Sequence, residues 1–119
     1  MAVWIFNRSG KATLIHDGDC IRDNHGRVSA WISGINVYSL RGRHCGWFEH
    51  GVLFDSRNRA LGFLGNASGH LPSHPSTSGA PGMPGFGSRP GHPSFSSVPS
   101  RGSYGGWSDK DLSTYFTNQ

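Results

Sequence analysis

Apolar side chains in the first 66 residues fall in columns sixteen apart. Ile5, Ile21, Val37 and Leu53 form an aliphatic column, and Ile15, Trp31, Trp47 and Phe63 a column of large apolar residues. Ile32, Phe48 and Leu64 form a third, which His16 interrupts in the first copy. Phe6, Tyr38 and Phe54 form a fourth, which the second copy fills with Arg22. Turn formers keep the same period. Gly10, Gly26, Gly42 and Asn58 hold one position, and Asn7, Asp23, Ser39 and Asp55 stand three residues before them. Asp, Asn or Ser at i with Gly at i+3 marks a type I turn, and glycine or asparagine in the left-handed region then closes the hairpin as a G1 bulge. Gly18, Gly34, His50 and Asn66 mark the other end, with the third glycine displaced by one to Gly51.

Each copy therefore reads as strand, type I turn, strand, tight turn. The pattern predicts strands near 3–7, 11–16, 19–23, 27–32, 35–39, 43–48, 51–55 and 59–64. A lone hairpin is marginal in water, so the four copies must pool their apolar columns around a common centre. The aliphatic column and the Ile15/Trp31/Trp47/Phe63 column are the core candidates. The expected fold is all-β: four hairpins in a pseudo-fourfold ring, or an eight-stranded meander closing on itself, barrel-like or flower-like.

Beyond Ala67 the composition changes. All seven prolines lie between Pro72 and Pro99, among glycines and serines. Little apolar material offsets the ordering entropy there, so residues 67–103 are expected as a flexible or loosely draped linker. Residues 104–119 differ again. Ser108 reads as a helix N-cap with Asp109 and Asp111 in the first turn. Leu112, Tyr115 and Phe116 fall on one face, so a short docking helix is predicted. Residues 1–66 are then the hairpin module, 67–103 the linker and 104–119 the docking segment.

The stretch Ile35-Asn36-Val37-Tyr38-Ser39-Leu40-Arg41-Gly42-Arg43-His44-Cys45-Gly46-Trp47-Phe48-Glu49-His50-Gly51-Val52-Leu53-Phe54-Asp55 resembles the four-fold beta-flower proteins. Gly62-Phe63, the proline-rich segment, Trp107-Ser108 and the Tyr115-Phe116 pair extend that resemblance over most of the chain. It implies a four-hairpin β fold in a family of small bacterial proteins of unknown function, and it supplies no catalytic residues. Two features depart from the family's pattern: the spacer lacks a basic Val-Arg-Pro character, and Cys45 stands where an aliphatic residue is usual.

Net charge is +4 and hydrophobic content 34% over 119 residues. The mild basic excess admits nucleic acid or another anionic surface as a partner but requires neither. Two cysteines make no disulfide framework. The start reads as no signal peptide and no apolar run reaches membrane-spanning length, so a cytoplasmic, non-membrane protein is expected. Lys11, Arg27, Arg43 and Arg59 each follow a turn glycine or asparagine. As a ring they are the candidate anion site, set against the plainer reading of solvated hairpin residues. Trp47, Phe48, Trp107, Tyr115 and Phe116 are the candidate docking and interface residues. His44 and Cys45 are adjacent, so on a strand they face opposite ways. No histidine–cysteine spacing fits a metal, and no cofactor motif is present. Glu49 is the single module acid without a turn role, and one carboxylate makes no acid–base pair. The expected function is thus a non-enzymatic interaction or assembly module. Its partners would be a second copy of the chain or another protein, with anion or nucleic-acid backbone binding as the alternative.

Overall fold

The computed structural model describes residues 2–69, 71–73 and 75–119. His70 and His74, counted among the tail histidines, lie outside them. Eight strands form one closed antiparallel barrel in sequence order: β1 (Ala2–Asn7), β2 (Ala12–Asp17), β3 (Cys20–Arg22), β4 (Val28–Ser33), β5 (Asn36–Ser39), β6 (His44–Glu49), β7 (Val52–Phe54) and β8 (Ala60–Leu64). Ile5 opposite Leu64 and Phe6 opposite Phe63 close the seam. Closure leaves no open edge, the liability of any short-stranded sheet.

The sixteen-residue period is explained by the four bulged turns. In each, the N–H at the glycine position donates to the carbonyl three residues back: Gly10 to Asn7 (2.8 Å), Gly26 to Asp23 (3.1 Å), Gly42 to Ser39 (2.9 Å) and Asn58 to Asp55 (3.0 Å). The side-chain oxygen of Asn7, Asp23, Ser39 or Asp55 then accepts the two N–H groups two and four residues on, at 2.8–3.3 Å. A short polar acceptor is needed there because those two donors have no ladder partner. Asn58 takes the left-handed conformation (φ 61°) that glycine takes in the other copies. At the opposite end, Gly18 and Gly34 have positive φ at the first loop residue, whereas the third turn has it at both His50 and Gly51. The displaced glycine thus marks a change of turn type.

Ile5, Ile21, Val37 and Leu53 are fully buried in the lumen. Across each hairpin they meet Leu14, Ala30, Gly46 and Gly62 in turn. That column shrinks from leucine to glycine, and the space in the last two copies admits the C-terminal segment. Leu112 and Tyr115 join the lumen cluster, and a Cβ on Gly62 would overlap Leu112. His16, Ile32, Phe48 and Leu64 form the next layer, half-buried. His16 reaches across from β2 to stack on Phe48 of the opposite strand β6, with centroids 4.8 Å apart.

The Ile15/Trp31/Trp47/Phe63 column corrects one expectation. All four are buried, but they point away from the lumen. Trp31 clusters with Cys20, Val28 and Tyr38, and Trp47 with Val52, Phe54 and Ala60, outside the lumen cluster. Neighbours on a strand face opposite ways, so with the aliphatic column inward the tryptophans must be covered from outside.

Their cover is the segment expected as a flexible or loosely draped linker. Among its described residues it holds no strand or helix, yet it is bonded to the barrel at regular intervals. Ser78 N–H donates to the Gly10 carbonyl (2.9 Å), Gly87 to Gly26 (3.1 Å), Ser96 to Gly42 (2.8 Å) and Gly105 to Asn58 (3.3 Å). These donors are nine apart, and the segment is itself a four-copy repeat. Pro72, Pro81, Pro90 and Pro99 share one column, and Pro75, Pro84, Pro93 and Gly102 another. Nine residues of chain thus serve each sixteen-residue hairpin. Four nine-residue copies of polyproline-like chain at ~3.1 Å per residue would span about 112 Å. A disc 37 Å across, the molecule's two equal extents, has a perimeter of about 116 Å. The segment is a belt of the right length to go round once. Trp107 closes it: its indole N–H donates to Ser73 Oγ at the belt's start (3.1 Å).

After the belt, Ala60 N–H donates to the Gly106 carbonyl and Ser108 N–H to the Ala60 carbonyl, both 2.8 Å, a short parallel pairing with β8. The predicted helix does not form. The Ser108 hydroxyl bonds Asp55 Oδ2 (2.5 Å) while also capping Lys110 N–H. Single turns follow, ending in a 3-10 turn at Phe116–Asn118. A segment this short is marginal as a helix, and seating Leu112 and Tyr115 in the barrel sets its path instead.

Candidate functional site

Three surfaces offer chemistry: the bulged-turn end, the belted wall and the tight-turn end. Lys11, Arg27, Arg43 and Arg59 all follow bulged turns, and in a meander those turns share one rim. The first three are exposed and Arg59 half-buried beside Gly105. The axis between them is taken by Leu112 and Tyr115. The rim also carries acids: Arg27 stands 3.7 Å from Asp23. Lys11 shares a cavity of about 280 Å³ with Asp23 and Asp111.

The five docking candidates separate into three groups. Trp47 faces outward under the belt, where the Arg101 guanidinium lies 5.3 Å from its ring. Phe48 faces inward, half-buried. Trp107 packs on the outer wall, edge-on to Phe63 at 6.2 Å. Tyr115 and Phe116 close the bulged-turn end from inside the same chain. The Tyr115 hydroxyl donates to the Cys45 carbonyl and accepts from Ser56 N–H (3.0 Å). Burial pushes the Tyr115 phenol and the Cys45 thiol each up to about 12, so neither ionises near neutrality.

The wall shows a repeated station. An aromatic of the belt caps the first-strand residue of three copies. The Arg22 guanidinium lies 4.5 Å from Phe86, Phe95 stacks on Tyr38 at 4.1 Å, and Tyr104 lies 5.4 Å from Phe54. Thr77 holds the fourth place, at the copy carrying Phe6. A second belt column covers the tryptophans: His92 lies 4.0 Å from Trp31 and Arg101 on Trp47.

The charged residues of the wall hold this belt. Arg22, 4% exposed, donates through Nε to Asp17 (2.8 Å) and through Nη1 to the carbonyls of Gly26 (2.7 Å) and Gly87 (2.8 Å). Its contact holds the Asp17 carboxyl below the usual carboxylate range. Arg89 of the belt pairs with Asp17 and Asp19. Arg101 donates to Glu49 (3.0 Å) and Asn58 Oδ1 (2.8 Å). Glu49, without a role at the level of sequence, is thereby an anchor of the belt. Burial lowers the His16 and His44 imidazoles, keeping them neutral. Among the described residues no three His, Cys, Asp or Glu side chains gather as a metal site. Among the described residues no helix is long and apolar enough to cross a membrane.

Sequence reasoning missed the belt stations. Their signal was present in the proline spacing, and in Phe86, Phe95 and Tyr104 at nine-residue intervals.

A closed eight-stranded meander of four equivalent hairpins places the molecule in the class of all-β barrels with internal repeats. The chain belongs to the 4-fold beta flower protein family, whose model matches residues 3–116. That is the family the Ile35–Asp55 stretch resembles. No curated protein and no solved structure matches the chain.

Proposed function

We propose that the protein is a non-enzymatic interaction module whose barrel wall holds extended, proline- and glycine-rich peptide, with its own belt as the resident ligand. The observation that carries this reading is the register of nine belt residues to sixteen barrel residues, repeated four times with the same acceptor, the bulged-turn carbonyl, at each station. Polyproline-like chain is pre-extended, loses little entropy on binding and docks on aromatic surfaces. Trp31, Tyr38, Trp47 and Phe54 supply such a surface. The acids support a non-catalytic role: Asp23 and Asp55 accept turn N–H groups, while Asp17, Asp19 and Glu49 are held by arginines. Anion binding at Lys11, Arg27, Arg43 and Arg59 has weaker support, since Asp23 and Asp111 lie among them.

A tethered ligand acts at an effective concentration of about millimolar, so a free peptide competes only where the belt is weakened. The full chain carrying Phe95→Ser loses the stack on Tyr38. A synthetic peptide of residues 88–96 with a fluorescent label is then titrated with the variant and the parent. Binding to the variant, weak or none to the parent, is the expected result. Failure of both to bind overturns the proposal.

A further inference from the structure

The net charge of the molecule is carried by one end. Lys11, Arg27, Arg43 and Arg59 stand on the bulged-turn rim, and Arg41 and Arg57 lie in the same turns, two residues before Arg43 and Arg59. Arg8 lies in the first turn, and Lys110 of the C-terminal segment lines one cavity with it. Eight of the chain's eleven lysines and arginines are therefore at this end, with four of its seven acids, Asp23, Asp55, Asp109 and Asp111. The remaining three of each kind balance on the wall, Arg22, Arg89 and Arg101 against Asp17, Asp19 and Glu49. The whole excess of +4 thus falls on the bulged-turn end. The four rim cations by themselves are interrupted by Asp23 and Asp111, but the end as a whole is unbalanced. Seven of its eight cations are exposed, and Arg59 is half-buried. Among the described residues Arg27 alone of the eight pairs with an acid, 3.7 Å from Asp23. The acids are engaged elsewhere. Asp23 and Asp55 accept turn N–H groups, Asp55 also accepts from the Ser108 hydroxyl, and Asp111 accepts the N–H and hydroxyl of Ser113.

We infer that this end is a docking surface for double-stranded nucleic acid, held through its phosphate backbone without regard to sequence. The inference does not depend on the belted wall. Charge complementarity carries it. Like charges gathered on one end repel, and a polyanion relieves that repulsion while releasing its own counterions. Six of the eight cations are arginines, whose planar fork matches two oxygens of a phosphate. Across the four bulged turns and residues 107–119, Leu40 is the one exposed large apolar residue among the described residues. These elements present no exposed phenylalanine, tyrosine or tryptophan, Tyr115 being buried and Phe116 half-buried. Unpaired bases would find no ring to stack on, which favours a duplex over a single strand. One leucine is also little to seat in a bilayer, which favours nucleic acid over a lipid surface.

Fluorescence anisotropy of a labelled duplex of about 20 base pairs, titrated with the full chain, tests this. With about four phosphates contacted, binding is expected to weaken about a hundredfold between roughly 50 and 200 mM salt. Arg41→Gln combined with Arg43→Gln removes two exposed cations and is expected to lower the slope of log affinity against log salt by about two. Two further variants of equal net charge, Leu40→Asp and Ile35→Asp, separate position from total charge. Leu40 is 44% exposed on this end and Ile35 41% exposed on the tight-turn end. Salt screens one end from the other, since the molecule is 23 Å across its shortest extent and the Debye length is about 10 Å. Leu40→Asp is expected to weaken binding about fivefold and Ile35→Asp to leave it unchanged. Failure of the parent to bind at about 50 mM salt, binding indifferent to salt, an unchanged slope in the double variant, or equal weakening by Leu40→Asp and Ile35→Asp overturns the inference. So does uptake by phosphatidylserine vesicles without binding of the duplex, which would make this a lipid-facing end.

Discussion

The barrel and the belt are both fourfold repeats, and they are held together by different physics. Each barrel strand is bonded on both sides, so its backbone donors are satisfied by strands of like kind. The belt has no ladder. It makes one backbone bond per nine residues to each bulged turn, and its remaining attachment is through side chains that differ from copy to copy. Phe86 meets an arginine, Phe95 a tyrosine and Tyr104 a phenylalanine. A closed sheet demands the same backbone in every copy and therefore fixes turn residues tightly. A belt demands only reach and a few anchors, so its sequence is free to vary and looks unstructured. The barrel can thus stay constant while the belt adapts.

The largest expected effect comes from the layer between the two. Trp31 is fully buried by the wall on one side and by His92 on the other. Trp31→Ala is expected to cost about 3–5 kcal/mol in urea unfolding. A loss below ~1 kcal/mol would mean that the belt leaves that layer wet. Leu112→Ala removes the plug's deepest side chain, 2% exposed in the lumen cluster, and is expected to cost about 3 kcal/mol. If Leu112→Ala is silent while Trp31→Ala is severe, the barrel core is closed without its C-terminal segment.

Legibility followed the same division. The strands and bulged turns were readable because hairpin geometry restricts particular positions: a short polar acceptor at Asn7, Asp23, Ser39 and Asp55, and a left-handed residue three further on. The belt was not read, because composition suggests disorder wherever proline, glycine and serine dominate, and its nine-residue period is set against a partner sixteen residues long. The direction of the tryptophan column was also hidden. Sequence shows that Trp31 and Trp47 are apolar at regular places, but their outward burial depends on a cover supplied from another segment. The basic column was legible as a rim. That its centre would hold Leu112 and Tyr115 depends on the shrinking column from Leu14 through Ala30 to Gly46 and Gly62, which has a meaning only once the barrel is closed.

Two glycines separate the cost of the turn from the cost of the belt. Gly42 (φ 85°) and Gly34 (φ 64°) both adopt left-handed backbone. A Cβ on Gly34 meets nothing within 4 Å, whereas one on Gly42 would overlap the belt carbonyl of Ser94. Gly34→Ala should therefore cost only the conformational penalty, ~1 kcal/mol. Gly42→Ala should cost that plus displacement of the belt, about 2–3 kcal/mol in total. Equal losses would mean that the belt yields freely at this station. Limited proteolysis of the Gly42→Ala protein should in addition cut within residues 88–105 before the barrel.

The smallest effect separates the lumen from the belt by pH. Burial lowers the His16 imidazole below its ordinary value, against the raising influence of Asp17 next to it. A group whose folded pKa is depressed stabilises fully above its unfolded value, ~6.5 for histidine, and that stability is lost as pH falls from there through the folded pKa. His44 is lowered in the same direction, also by burial. Asp17 is held down chiefly by its hydrogen bond from Arg22, and its contribution is lost only below the ordinary carboxylate range, ~3.9. Stability should therefore fall in two windows, one starting near pH 6.5 in the lumen and wall and one below pH ~4 at the belt anchor. His16→Leu restores the aliphatic column of Ile32 and Leu64. It should reduce the fall in urea midpoint between neutral pH and pH ~5 by at most ~1.4 kcal/mol per pH unit. It should leave the lower window untouched, because Asp17 and Arg22 still meet outside the barrel. A His16→Leu protein with the parent's full slope in the upper window would assign that titration to His44 at the wall, and so to the layer beneath the belt rather than to the lumen.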